Sequence, residues 1–361
     1  MMRNRYVLSP LFALSLLLML AACGQAPEAK ETTAQAAENV ISPAQTPLAS
    51  LPAEAGGAEG EGSHYPVEII TYNFEGEEVL TIYEKAPERV LAVYQGCIET
   101  MIALGLEDRV VASYGIDNEV KDEWKEGFSR MHYDESSFAP DRETVVMMQP
   151  DLIFSWGSLL GENRLGDVDY WHANGTNTYI NTNTRRGGDR LLENEYIDLL
   201  NIGKIFDIEE KTEALVQQMR EDIAIAKAAV DAMPDKPLVA VITVRESDIR
   251  NYGMELAGDI LATIGIDVIW SETTAMGKED FLASNPDVIF LSYMPRPDLG
   301  GEAIRLEILA TILDDPTYAN IDAVLNGEVH TIMLGEHYAP AVRTADGIRT
   351  LINGLFPGLL E

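Results

Sequence analysis

The sequence predicts an α/β protein made of two Rossmann-like lobes joined by one long α-helix, with a β-hairpin ahead of the first lobe. Three observations carry that prediction. Apolar, strand-like runs alternate with amphipathic helical segments in the order expected of a parallel sheet. That grammar ends near residue 206 and restarts near residue 235, and the interval between holds an unbroken helical pattern. The halves also share a phrase: "ETVVMMQPDLIF" at 143–154 returns as "EDFLASNPDVIF" at 279–290, with Glu, Pro, Asp, Ile and Phe in matching places.

Taken in order, residues 1–22 read as a lipoprotein signal peptide. Arg3 and Arg5 precede the apolar run "LFALSLLLML", which is shorter than the roughly 20 residues of a membrane span. The following "LAAC" resembles a bacterial lipobox, so Cys23 is expected to be the lipidated first residue. Residues 23–64 are rich in Ala, Glu, Pro and Gly and cannot bury enough apolar surface to fold. They read as a tether of about 40 residues, with a reach of roughly 35 Å.

The first lobe is expected over 65–206. It opens on "VEIITYNFEGEEVLTIYE", two β-rich runs around Glu75, Gly76 and Glu77 that read as a hairpin. "RVLAVY" is a strand, "CIETMIALG" a helix closed by Gly105, and "RVVASYG" a strand; a short helix from Arg142, the strand "DLIFSW" and "NTYINTN" follow. Residues 207–234 are the connecting helix. Asp207 and Glu210 suggest a capping box, Leu215, Met219, Ile223, Ala226 and Val230 keep helical spacing, and Pro234 ends it. In the second lobe, 235–361, "LVAVITV", "AGDILATIG", "DVIW", "DVIFLSY", "EVHTIML" and "ADGIRTLINGLF" repeat the alternation.

Net charge is −33, so nucleic acid is excluded as a partner. Cys97 is the only cysteine besides Cys23, so acylation of Cys23 leaves no intramolecular disulfide. Glu143 and Glu279 open the two duplicated helices. Either alone is explained by the helix dipole, worth about 0.3–1 kcal/mol. As a pair they put one carboxylate on each lobe, which suits docking to a partner with two basic pockets. Pro150 and Pro286 push Gln149 and Asn285 out of helical geometry.

Ligands of open α/β sheets bind beyond the carboxyl ends of the strands. The loops there offer Tyr94, Gln95, Tyr114, Trp156 and the run Asn181, Thr182, Asn183 in the first lobe, followed by Arg185 and Arg186. The second lobe offers Arg245, Tyr252, Met276, Tyr293, Arg296, His337, Tyr338 and Arg343. The expected ligand contacts are Tyr94, Trp156, Arg185, Arg186, Arg245, Tyr252, Tyr293, Arg296, His337 and Tyr338. Aromatic faces beside guanidinium forks suit a large, anionic, partly planar metal chelate.

In this order, the lipobox, the tether, the hairpin, "ERVLAVYQGCIETMIALGLEDRVVASYG", the two dodecamers and the long central helix resemble the ferric-siderophore/cobalamin class of ABC-transporter substrate-binding proteins. The resemblance runs over roughly residues 66 to 357. It implies a helical-backbone periplasmic-binding fold and a monomer anchored by lipid outside the cytoplasm. It implies a ferric siderophore as cargo, with haem or cobalamin as the alternative. It further implies no catalysis, an ABC permease and its ATPase subunits as partners, and pairing of Glu143 and Glu279 with permease arginines.

Haem would want an axial donor, for which Met276, His337 and Tyr338 are candidates. A bare zinc or manganese ion needs convergent His and carboxylate ligands. With His64 assigned to the tether, His132, His172, His330 and His337 show no close ligand spacing, so neither a metal site nor a cofactor is expected. The competing class is a secreted enzyme. No G-x-S-x-G, H-E-x-x-H or phosphate-binding loop supports it. Cys97 is either a buried small residue or a nucleophile of lowered pKa at a helix start.

Overall fold

The computed structural model describes residues 64–269, 273–296 and 300–360. The expected signal peptide, Cys23 and all but the last residue of the expected tether lie outside the described residues. The hairpin pairs β1 (Val67–Tyr72) with β2 (Glu78–Tyr83) antiparallel, Val67 opposite Tyr83 and Tyr72 opposite Glu78. It closes at Gly76, whose φ is 89°.

The first lobe is built on β3 (Val90–Val93), β4 (Val110–Tyr114), β5 (Leu152–Ser155) and β6 (Asn177–Ile180), all parallel in the order β4-β3-β5-β6. The second has β7 (Leu238–Val244), β8 (Ile249–Asn251), β9 (Asp267–Val268), β10 (Ala275–Met276), β11 (Val288–Tyr293) and β12 (Val329–Met333). Its order is β10-β8-β7-β11-β12, with β9 parallel to the start of β7. The parallel set β9-β7-β11-β12 thus repeats the first lobe, and antiparallel β8 with β10 is an addition.

The central strands are apolar throughout because both of their faces are covered. Val90, Ala92, Leu152 and Phe154 point into one core, Leu91, Val93 and Ile153 into another. In the second lobe Val239, Val241, Val288 and Phe290 alternate in the same way with Ala240, Ile242, Ile289 and Leu291. The matching phenylalanines of the dodecamers, Phe154 and Phe290, are fully buried and contribute roughly 1.5–3 kcal/mol each.

The rest of each dodecamer is also structural. The helices Arg142–Met148 and Lys278–Ser284 end on Gln149 and Asn285, both left-handed with φ of 50° and 42°. Asp151 then accepts hydrogen bonds from the Glu88 and Arg89 amides at 2.8 Å, and Asp287 accepts one from the Leu238 amide at 2.8 Å. In both lobes the aspartate ties the start of the inner strand to its neighbour. The repeat is therefore largely a folding instruction, with the glutamates left over on the surface.

The long helix is Glu209–Asp231, and its stripe of Val216, Met219, Ile223, Ala226 and Val230 lies in the second lobe's core. The expected capping box is absent: Asp207 instead ends the preceding helix in left-handed geometry, φ 56°, and no side chain caps the next one. That preceding helix, Leu192–Phe206, was not expected. It crosses between the lobes, with Leu192, Tyr196 and Leu199 in the second lobe's core and Ile202, Ile205 and Phe206 in the first's.

Candidate functional site

Parallel strands deliver their carboxyl ends to one edge of each sheet, and the loops there face each other across a cleft. An aromatic row runs through it. Tyr94 follows β3 and Trp156 follows β5, their rings 3.9 Å apart; Phe138 extends the row beside Tyr94 at 5.6 Å. Tyr338 of the second lobe continues it 6.3 Å from Trp156, and Tyr252 lies 6.2 Å beyond. Tyr94 is held by its hydroxyl, which donates to Asp117 at 2.6 Å, and its backbone adopts the unusual φ of 87°. Burial, with Asp117 second, pushes the Tyr94 phenol far above its ordinary pKa, so it stays a neutral donor.

The cationic part comes chiefly from the loop after β6. Arg185 lies over Tyr72 at 4.6 Å and Arg186 over Phe74 at 5.9 Å, both rings belonging to the hairpin. A Cβ at Gly76 would meet the Arg186 carbonyl oxygen at 2.2 Å, so glycine lets the hairpin turn brace this loop. Arg190 stacks on Tyr338 at 3.6 Å and pairs with Glu255 at 3.2 Å, joining the lobes. Phe74, Thr184, Arg185, Arg186, Arg190, Met254 and Glu255 line a cavity of about 600 Å³. A second cavity of about 470 Å³ has Arg245, Arg250, Tyr252 and Tyr293 on its walls. A third, of about 630 Å³, is lined by Asp117, Tyr293 and Arg296.

Several expected contacts are placed elsewhere. His337 is fully buried behind the row, its Nε2 2.8 Å from the Ser292 hydroxyl and its ring against Tyr252. Burial pulls its pKa down to about 3, so it is a neutral support for the tyrosines and not a ligand contact. Met276 sits in the second lobe's core, and neither residue reaches the cleft as an axial donor. Arg343 is 4% exposed and forms a bidentate ion pair with fully buried Glu99, at 2.5 Å for each bond. It joins the lobes beneath the cleft.

The run Asn181, Thr182, Asn183 is the scaffold of the arginine loop. Thr182 donates to Asp198 through its amide at 2.7 Å and its hydroxyl at 2.6 Å, and Asn183 donates to Glu195 at 2.6 Å. Gln95 accepts from the Asp117 and Asn118 amides. Tyr114 bonds Asp134. Cys97 is fully buried, 3.1 Å from Asn181 Oδ1, and burial raises its thiol pKa, the opposite of an activated nucleophile.

Arg296 is exposed and engaged with Glu307 at 2.6 Å, and Arg245 lies 3.6 Å from Asp248. Arg190, Arg250 and Phe138 escaped the sequence reading. Only Arg190 had a signal, its place in the same loop as Arg185 and Arg186. Glu143 and Glu279 are both exposed near the start of equivalent helices, Glu143 being 3.8 Å from Arg142.

In the first lobe's half of the cleft Trp156 Nε1 and Arg185 Nε are buried donors with no acceptor, and Arg190 Nη1 has only its ion pair with Glu255. Buried N–H groups are rarely left so, and each is a place where a water or a ligand oxygen would supply the missing acceptor. Two similar α/β lobes, bridged by helices and facing each other across an aromatic and cationic cleft, define a solute-binding protein.

A family model for the periplasmic binding proteins matches residues 90–333, and the chain belongs to that family. Membership places it outside the cytoplasm; among the described residues no helix is long and apolar enough to cross a membrane. The petrobactin-binding protein YclQ of Bacillus subtilis is 23% identical over 278 residues, which cover 74% of this chain and 82% of that protein. A periplasmic binding protein from Veillonella parvula superposes with a TM-score of 0.74 at 32% identity, covering 81% of this chain and 92% of that one. The structure of an ABC-type Fe3+-hydroxamate transport system from Saccharomonospora viridis gives 0.61 at 21% identity, with 82% and 100% covered, a likeness of fold alone.

Proposed function

We propose that this chain captures a ferric siderophore between its lobes and delivers it to an ABC importer. The observation that carries the reading is the pair of unsatisfied donors, Trp156 Nε1 and Arg185 Nε, beside the stacked Tyr94, Trp156 and Tyr338. Aromatic faces take up the apolar part of a chelate and guanidinium forks its anionic oxygens. The petrobactin-binding relative supports iron-chelate cargo. Haem is the weaker alternative, because two of its three candidate axial donors, His337 and Met276, are turned into the protein, and the third, Tyr338, is stacked under Arg190 at 3.6 Å. A chelate whose iron is already fully coordinated asks for no ligand from the protein.

Glu143 and Glu279 serve as the docking carboxylates for the permease, whose ATPase subunits supply the energy; this chain performs no catalysis and works as a monomer. A lipid on Cys23 anchors it to the membrane. The test is a titration of the full chain, followed by tryptophan emission, with ferric catecholate, hydroxamate and citrate chelates, haem and cobalamin. Saturable quenching by one ferric chelate is the expected result. Binding of haem or cobalamin alone would replace the cargo assignment, and binding of none would remove it.

A further inference from the structure

His64 and the carboxylates of Asp207 and Glu209 converge at the turn between the helices Leu192–Phe206 and Glu209–Asp231. One ligand atom from each lies within 4.8 Å of the other two. His64 Nε2 faces the Lys204 carbonyl oxygen at 2.7 Å. An N–H on Nε2 makes that contact favourable, and in that neutral tautomer Nδ1 is the nitrogen with the lone pair. Nδ1 in turn faces Asp207 Oδ1 and Glu209 Oε1, each at 3.4 Å.

Those distances separate two explanations. A charge-assisted N–H to carboxylate bond is about 2.7–2.9 Å long. A tetrahedral ion with bonds of about 2.0–2.1 Å sets its ligands roughly 3.3–3.4 Å apart. Both observed separations match the second. Among the described residues no lysine or arginine pairs with either carboxylate; the only ion-pair partner of both is His64.

We propose that His64, Asp207 and Glu209 form a binding site for a divalent transition-metal cation, zinc being the best match, with a fourth position open to water. A ring N–H donated to a backbone carbonyl is how metal-binding histidines fix their tautomer, and one nitrogen with two carboxylate oxygens suits a borderline divalent ion. The ion clamps the segment leading into the hairpin against the turn between the two lobe-bridging helices. Sequence reading excluded a metal because it assigned His64 to the tether, far along the chain from its two partners.

The test uses the full chain with excess Mg2+ present to occupy diffuse acidic sites. Zn2+ is titrated in competition with a chromophoric chelator, and Co2+ is added separately as a spectroscopic probe. The proposal expects one Zn2+ per chain and the intense visible absorption of four-coordinate Co2+. His64→Gln and Glu209→Gln should each weaken Zn2+ binding at least about 100-fold, while ferric-chelate binding in the cleft stays unchanged. No stoichiometric Zn2+ uptake, uptake unaltered by His64→Gln, or only the faint absorption of six-coordinate Co2+ in the wild-type chain would overturn it.

Discussion

The two lobes share a strand order, yet they equip the cleft differently. In the first lobe Arg185 and Arg186 lie over hairpin rings and make no ion pair among the described residues, and Trp156 Nε1 and Arg185 Nε lack acceptors. In the second lobe Arg245, Arg250 and Arg296 are already engaged with Asp248, Glu255 and Glu307. A cation with a carboxylate partner has little attraction left for a ligand. On the proposed reading, charge recognition would fall to the first lobe, and the second would mainly supply shape through Tyr252, Tyr293 and Tyr338.

The contact on which both lobes depend should show the largest effect. Glu99→Ala leaves Arg343 buried without its partner, which costs about 3–5 kcal/mol, read as a lowered urea midpoint; a loss under about 1 kcal/mol would show that the lobes do not rest on this pair. Next comes the contrast between the arginines. Arg185→Ala should weaken chelate binding by about 1.5–3 kcal/mol, and Arg296→Ala, exposed and already paired, by less than about 1 kcal/mol. Calorimetry on both variants checks this, and equal losses would erase the distinction between the lobes.

The acids beneath the arginine loop give a pH signature. Burial raises Glu195 to about 7 and Asp198 to about 6, above the roughly 4 of an unfolded carboxylate. A raised folded pKa contributes stability below the unfolded value, and that contribution is lost as pH rises through the folded one. The urea midpoint should fall between about pH 4.5 and 7.5, and Glu195→Gln should flatten that fall. An unchanged slope in the variant would assign the pH dependence elsewhere. The smallest effect on binding belongs to Glu143→Ala with Glu279→Ala: chelate affinity should stay within about twofold of wild type while uptake by cells is abolished. Weakened binding by the purified double variant would contradict the docking role.

Sequence made the sheets legible because strands buried on both faces are written as unbroken apolar runs, as in "RVLAVY" and "DVIFLSY". It hid the bridging helix Leu192–Phe206, since Glu195 and Asp198 lie on that helix's buried side and break the apolar period. Arg250 was hidden because β8 is three residues long, too short for any pattern. His337 and Tyr338 are neighbours in one loop, and only packing decides that Tyr338 enters the cleft while His337 turns inward. The duplicated glutamates were easy to find, but the aspartates eight positions on carry the structural reason for the repeat.

The central claim is that the chelate rests on Trp156 between the lobes. The most direct measurement compares tryptophan emission of the wild-type chain and of Trp156→Phe during titration with the ferric chelate that binds, with calorimetry confirming occupancy in both. The account predicts that the variant still binds and loses most of the quenching, although Trp124, Trp171 and Trp270 remain. Undiminished quenching in the variant would place the ligand away from the aromatic row and contradict the site described.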